Sequence, residues 1–288
     1  MRGSPHETAV ALAAELDERV WAMRPDALAT LAQLVAREGR ELAGEQIEAR
    51  RATRTAGSAR RPGGVAVVAL SGVLMPGAGG LLGMLLGLGS GLATFRSELR
   101  TALDDPDISA VVLDIDSPGG LVDLIPETAA EVRAARGDTP IVAVANTLAA
   151  SAAYWIASQA DELVVTPSGE VGSVGVYATH RDVSRAQDAA GITTTLISAG
   201  MFKTEGNPYE PLGSDARGAI QASVDDYYDL FVRDVAAGRG TTATDVRDGY
   251  GQGRTLTAKR AVAAGLADRV ATLEETVGRM ASVAAPGV

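Results

Sequence analysis

Ser151, in Leu148-Ala-Ala-Ser151-Ala-Ala-Tyr-Trp155, and Lys203, in Ser198-Ala-Gly-Met-Phe-Lys203, are residue types that together can make a nucleophile without histidine. A serine hydroxyl attacks a carbonyl poorly near neutral pH unless a base within hydrogen-bond reach takes its proton. A lysine amine can be that base only where burial keeps it neutral. No charged residue occurs from Ile141 to Gln159, so the surroundings of Ser151 can exclude water. The chemistry suggested is hydrolysis of a peptide bond, with serine as nucleophile and lysine as base.

Two glycine turns stand where such a site needs them. Val111 to Asp116 reads as a buried strand running into Ser117-Pro-Gly-Gly120, whose glycines let backbone N–H groups point into a cleft. That is the form an oxyanion hole takes. Between serine and lysine, Gly172-Ser-Val-Gly175 is a second tight turn, and its Ser173 hydroxyl is placed to hold a lysine amine.

The elements around these motifs alternate as in a wound α/β fold. Val65 to Leu70 reads as a strand, Leu121 to Arg136 as a helix, Ile141 to Ala145 as a strand, and a helix starts at Ser151. Leu163 to Thr166 and Thr193 to Ile197 read as further strands. Ser214 to Ala237 is an amphipathic helix with Ile220, Val224, Tyr227, Tyr228, Phe231 and Val235 largely on one side, which core packing accounts for. Thr257 is placed as an N-cap and Gly265 as a helix stop.

Upstream, Thr8 to Leu42 has helical spacing of apolar residues, and Gly44 to Gly64 loses it in Arg, Ala, Gly and Ser. The expected division is a helical N-terminal extension over 1–45, an Arg/Gly-rich linker over 46–64 and a catalytic domain over 65–288. Arg50, Arg51, Arg54, Arg60 and Arg61 form a basic run within that linker. Its ordinary reading is a solvated tether, and its functional one a contact with acidic scaffold or DNA. No cleavable signal peptide is apparent, because Met1 to Arg24 mixes charges of both signs with apolar residues.

Taken in order, Ser117-Pro-Gly-Gly120, Ala149-Ala-Ser151, Gly172-Ser-Val-Gly175 and Lys203 resemble the motifs of the Ser/Lys signal-peptide-peptidase family. That family's fold belongs to the Clp protease and crotonase superfamily, and the resemblance runs from about Val65 to about Val270. It implies Ser151 as nucleophile, Lys203 as general base, Ser173 as the hydroxyl orienting the lysine, and the N–H groups of Gly120 and Ala152 as oxyanion donors. One departure is Ala152 and Ala153, where bacterial members usually have glycines after the serine. A backbone donor survives that change, and the adjacent pocket is smaller. Trp21-Ala-Met-Arg-Pro-Asp-Ala-Leu28, Ala150 to Ile156 and Lys203 to Leu212 resemble the phage head-maturation branch, of the lambda minor capsid protein C type.

Composition agrees. The 288 residues, 46% hydrophobic, suffice for one substantial α/β core. The absence of cysteine removes disulfides and thiolate chemistry, and only His6 and His180 are available as imidazole ligands, so neither metal nor cofactor is expected. A net charge of −10 argues against a general nucleic-acid binder. Gly63 to Phe95 carries no charge and is long enough to cross a bilayer, but its glycines argue against a spanning helix. The better use is a flap or self-association surface, and since the family resemblance implies a closed homo-oligomer, Leu81 to Leu92 are expected to face the lumen of a ring.

The functions that follow are a phage endopeptidase trimming scaffold, portal or capsid proteins in the host cytoplasm, inside the assembling prohead, or a cellular peptidase clearing membrane-derived peptides. A crotonase-like or scaffold protein without proteolysis is a third, and the presence of both Ser151 and Lys203 weighs against it.

Overall fold

The computed structural model of the chain describes residues 19–27, 59–61, 63–76 and 91–284. Near-continuous apolar runs belong in a parallel sheet covered on both faces. Val65–Ser71 (β3), Ala110–Ser117 (β4), Ile141–Ala150 (β6), Glu162–Val165 (β7) and Arg269–Val270 (β10) pair in parallel in the order β10-β7-β6-β4-β3. Ala59–Arg61 (β2) adds to β3 as an antiparallel edge, so part of the expected linker is a strand. The far end of β6 turns to a different partner, Glu170–Gly172 (β8), and β8 pairs in turn with Thr255–Thr257 (β9).

Side chains alternate across this sheet, as strand geometry requires. Val65, Val67, Val112, Val142, Val144 and Val164 form one buried layer with Met280 of the helix Leu273–Ala284. Val68, Leu70, Leu113, Ile115 and Ile141 face the larger opposite layer. There the helices Leu92–Asp104 (α1), Ile125–Ala134 (α2), Ala152–Ala157 (α3) and Ser214–Arg239 (α5) pack. The wound α/β architecture is the one expected. Ser184–Ala189 (α4), Ala243–Gly249 (α6), Ala258–Ala263 (α7) and Leu273–Ala284 (α8) are further helices. None of the described helices is long and apolar enough to cross a membrane.

Three local expectations are corrected. Trp21–Met23 is a strand (β1), not part of a helix. All three residues are buried and paired with Gly119–Leu121 (β5), and those tertiary bonds override the helical spacing. Thr193 to Ile197, rich in β-branched residues, is not a strand, because no neighbouring strand pairs with it and every residue of it is exposed. In α5, apart from Ala216 near its start, only the C-terminal half buries its apolar side, at Phe231, Val232, Val235 and Ala236, whereas Tyr227 remains exposed. Residues 25–27 are helical, as expected, while residues 1–18 and 28–45 of the expected N-terminal extension and the segment 81–90 lie outside the described residues.

Asp268 closes the end of the sheet. It accepts from Arg239 at 2.8 and 2.7 Å and from the Leu163 N–H at 2.7 Å, joining α5 to β7 and the start of β10. Burial pushes the Asp268 carboxyl up, but the Arg239 and Leu163 donors outweigh it and hold it below its usual range. A depressed carboxyl stabilises the fold above its unfolded-state value, and that contribution disappears as pH falls through the folded-state value. Asp268→Ala leaves Arg239, whose side chain is 8% exposed, without its carboxylate and with only the Gly265 carbonyl, 3.2 Å from its Nε, as acceptor. The expected loss is about 1–3 kcal/mol at neutral pH. Chemical denaturation should show it, with the gap from the parent protein closing under strong acid.

Candidate active site

β4 and β6 deliver the motifs, and they do so at their carboxyl ends, where open α/β sheets place their clefts. β6 carries more residues than its partner past Ile115. The register slips between the pairs Ile115 with Ala145 and Ser117 with Ala149. Such a bulge re-aims the end of a strand. Asn146 donates to Asp114 at 3.1 Å, and Thr147 bonds Asp116, fixing the displaced residues.

Ser151 sits at the junction of β6 and α3 with φ 56° and ψ −120°. A β-carbon is strained there, at a level of about 1–3 kcal/mol. The residue is fully buried, and its N–H donates to the Gly172 carbonyl at 2.7 Å while its Oγ donates to the Gly175 carbonyl at 3.3 Å. What holds the turn is α3, every residue of which is buried. Trp155 stacks on Phe231 with centroids 4.3 Å apart and planes 5° off parallel, and its Nε1 donates to Asp234 at 2.7 Å. Tyr154 donates its hydroxyl to the Leu266 carbonyl at 2.9 Å. Burial raises the Asp234 carboxyl and the Trp155 N–H only partly offsets it. Ala152 opens the helix, so its N–H has no preceding helical carbonyl to bond.

Ser117-Pro-Gly-Gly120 is brought beside the serine, not as the expected turn but as a join of two strands: Ser117 ends β4, and Gly119 and Gly120 already belong to β5, paired with β1. Ser117 Oγ donates to the Gly72 carbonyl at 2.6 Å and accepts from the Gly119 N–H at 3.2 Å. At Gly119, φ is 100°, and a β-carbon would lie 2.2 Å from the Ala22 carbonyl oxygen and 3.0 Å from Ser151 Cβ. One at Gly120 would lie 1.9 Å from the Leu74 carbonyl oxygen. Glycine is therefore required at both positions by the closeness of the backbones that frame the site.

Ser173 follows β8 with φ 56°, is 6% exposed, and donates its N–H to the Arg254 carbonyl at 2.8 Å. The chain then runs past Gly175 to Tyr177, which bonds Trp21 of β1 through both backbone groups. Tyr177 is a residue the sequence reading missed. Its hydroxyl is buried without a hydrogen-bond partner among the described residues, and burial, with Asp26 nearby, pushes it up to about 12.

Lys203 is not brought to this cluster. It lies exposed in the turn 201–206, and its side chain makes no hydrogen bond or ion pair with a described residue. Neither Ser151 nor Ser173 bonds it. The physical reason is visible in its neighbours: residues 191–203 are all exposed, with Ile197 96%, Met201 89% and Phe202 61% open to solvent. His180, a histidine that would be the rival base to Lys203, has its Nε2 3.0 Å from the Asn207 carbonyl oxygen and no bond to Ser151. Among the described residues no acidic or histidine cluster is suited to a metal ion. A surface depression beside Arg239, Asp245 and Tyr250 shares no residue with the serine site.

Residues 133–285 match peptidase family S49. Capsid assembly protease C of Escherichia phage lambda is 30% identical over 217 residues, which is 74% of this chain and 48% of that protein. Head-tail preconnector protein GP5 of Enterobacteria phage P21 is 30% identical over 222 residues, 76% of this chain and 43% of its own. Protease 4 of Salmonella typhi is 30% identical over 192 residues, 66% of this chain and 31% of its own. The chain thus spans about half the length, or less, of these relatives.

Proposed function

The chain belongs to peptidase family S49, and from that premise we propose that it is a serine endopeptidase with Ser151 as nucleophile and Lys203 as general base. The observation that carries this is Ser151 itself, a fully buried serine held at positive φ on a strand-to-helix turn, beside Gly119 and Gly120. Such a turn aims a hydroxyl at a bound carbonyl. The N–H groups of Gly120 and Ala152 are proposed as the oxyanion donors, which stabilise charge only as it develops, and Ser173 as the hydroxyl that positions the lysine amine.

Lys203 reaches Ser151 in this reading only when the exposed segment 191–203 closes over the cleft. Its uncovered Ile197, Met201 and Phe202 favour such a docking, because apolar side chains grouped in water mark an interaction surface. Closure is proposed to accompany assembly into a homo-oligomer that shelters the site. The catalytic domain is proposed to cover 65–288, after an N-terminal extension and linker, with Trp21–Met23 lodged in it.

The substrates proposed are scaffold, portal or capsid proteins of a phage head, and the place the assembling prohead in the host cytoplasm. Support comes from the head-related names of the two phage relatives. Similarity to Protease 4 of a bacterium supports a second reading, a cellular peptidase, for which membrane-derived peptides are the proposed substrates. Incubation with purified portal, scaffold and capsid proteins, and separately with released signal peptides, tests both. Cleavage of a head protein is the expected result, and cleavage of signal peptides alone would reverse the order.

The pH profile is a further expected outcome. A base must be unprotonated to accept the serine proton, so the rate should show an acidic limb and rise into the mildly alkaline range. Steady-state rates across pH check it, and a maximum in acid would contradict a lysine base.

A further inference from the structure

β1 lies along the serine site in the manner of a bound peptide. Its residues pair antiparallel with β5, Trp21 opposite Leu121, Ala22 opposite Gly120 and Met23 opposite Gly119. On the other edge Trp21 and Tyr177 exchange both backbone bonds, at 2.8 and 2.9 Å. An extended segment bonded along both edges, with its side chains buried, is how a strand-adding peptide is recognised. Arg24 then anchors the exit by bonding Asp26 at 3.0 and 2.8 Å and lying 3.6 Å from Glu170, on the strand beside the end of β6.

The register decides what this segment does to the chemistry. The Val122 N–H donates to the Val20 carbonyl at 3.3 Å and the Arg24 N–H to the Pro118 carbonyl at 3.1 Å. Hydrogen-bonded and non-bonded pairs alternate along an antiparallel ladder. Ala22 and Gly120, midway between those two pairs, are therefore a bonded pair, and the Gly120 N–H is directed at the Ala22 carbonyl oxygen. That oxygen also lies beside the nucleophile, since one point at the Gly119 β-carbon position is 2.2 Å from it and 3.0 Å from Ser151 Cβ.

We propose that residues 20–24 are a built-in occupant of the substrate lane, which holds the enzyme self-blocked until an extended polypeptide displaces them. The inference rests on Ser151 and Gly120 having the roles proposed above. An acyl group under attack must put its oxygen where the Ala22 carbonyl oxygen sits, so substrate and β1 exclude each other. Only the fraction of molecules with β1 displaced reacts, and the apparent affinity for substrate falls by that fraction.

The chain has no cysteine, so an introduced pair can form only one intramolecular disulfide. Val20→Cys with Val122→Cys places thiols on residues that face each other across the 3.3 Å bond. Facing strand residues lie within the span a disulfide bridges. The full-length protein, oxidised or reduced, is treated with a fluorophosphonate that labels activated serines, and the Ser151→Ala form serves as blank. The oxidised form should label at least about tenfold more slowly than the reduced form, since locking removes the open fraction, and reductant should restore the rate. A strand with only a structural role would leave both rates equal, which would overturn the proposal. Failure of the disulfide to form would overturn it as well, by denying the register. Labelling absent in both states would remove Ser151 as nucleophile, and the self-blocking inference with it.

Discussion

Ser151→Ala should abolish cleavage, by on the order of 10⁴-fold to 10⁶-fold in kcat, while leaving the fold intact. The size follows from the role, because no other hydroxyl sits at the β6–α3 turn to take over the attack. The harmless structural effect follows from the geometry. The side chain makes one hydrogen bond, to the Gly175 carbonyl at 3.3 Å, and alanine keeps the β-carbon that defines the strain at φ 56°. The burial of α3, the Trp155–Phe231 stack and the Ser151 N–H bond to Gly172 all survive the change. Thermal denaturation should therefore move little, and peptide turnover should fall to background. Retention of more than a small fraction of the parent rate would remove Ser151 from the mechanism.

The parts of this site that were legible in the sequence are those governed by local pattern. The uncharged run from Ile141 to Gln159 announced a buried strand and helix, and Val111 to Asp116 announced a buried strand running into Ser117-Pro-Gly-Gly120, because both features are written in consecutive residues. The strand at Trp21–Met23 was not legible: its partners are β5 and Tyr177, far away in sequence, and the apolar spacing around it fits a helix. Thr193 to Ile197 failed in the opposite way. β-branched residues favour a strand only where another strand pairs with them, and here every side chain is left in water. The positive φ of Ser151 is likewise a tertiary outcome, imposed by the packing of α3 rather than by any local preference of serine.

Lys203 is where sequence order and geometry are furthest apart, and that makes its substitution the sharper test. The lysine is exposed and without a side-chain partner among the described residues, so neither Lys203→Ala nor Lys203→Arg should shift stability by more than about 0.5 kcal/mol. Activity should nevertheless fall by on the order of 10³-fold or more in both, comparable to loss of the serine. Arginine keeps the positive charge and most of the length but does not deprotonate in a protein. A lysine acting only as a surface charge would tolerate that exchange; one acting as base would not. His180→Ala is the control, because its Nε2 is engaged with the Asn207 carbonyl at 3.0 Å and nothing joins it to Ser151. Its kcat/KM should stay close to that of the parent protein. Parallel measurement of kcat/KM and unfolding for the three variants decides the matter: an inactive histidine variant beside an active Lys203→Arg would transfer the base role from lysine to histidine. A Lys203→Ala protein that is inactive yet as stable as the parent would show that the exposed amine comes to Ser151 during turnover, either by closure of its own segment 191–203 or from a neighbouring copy in the proposed oligomer.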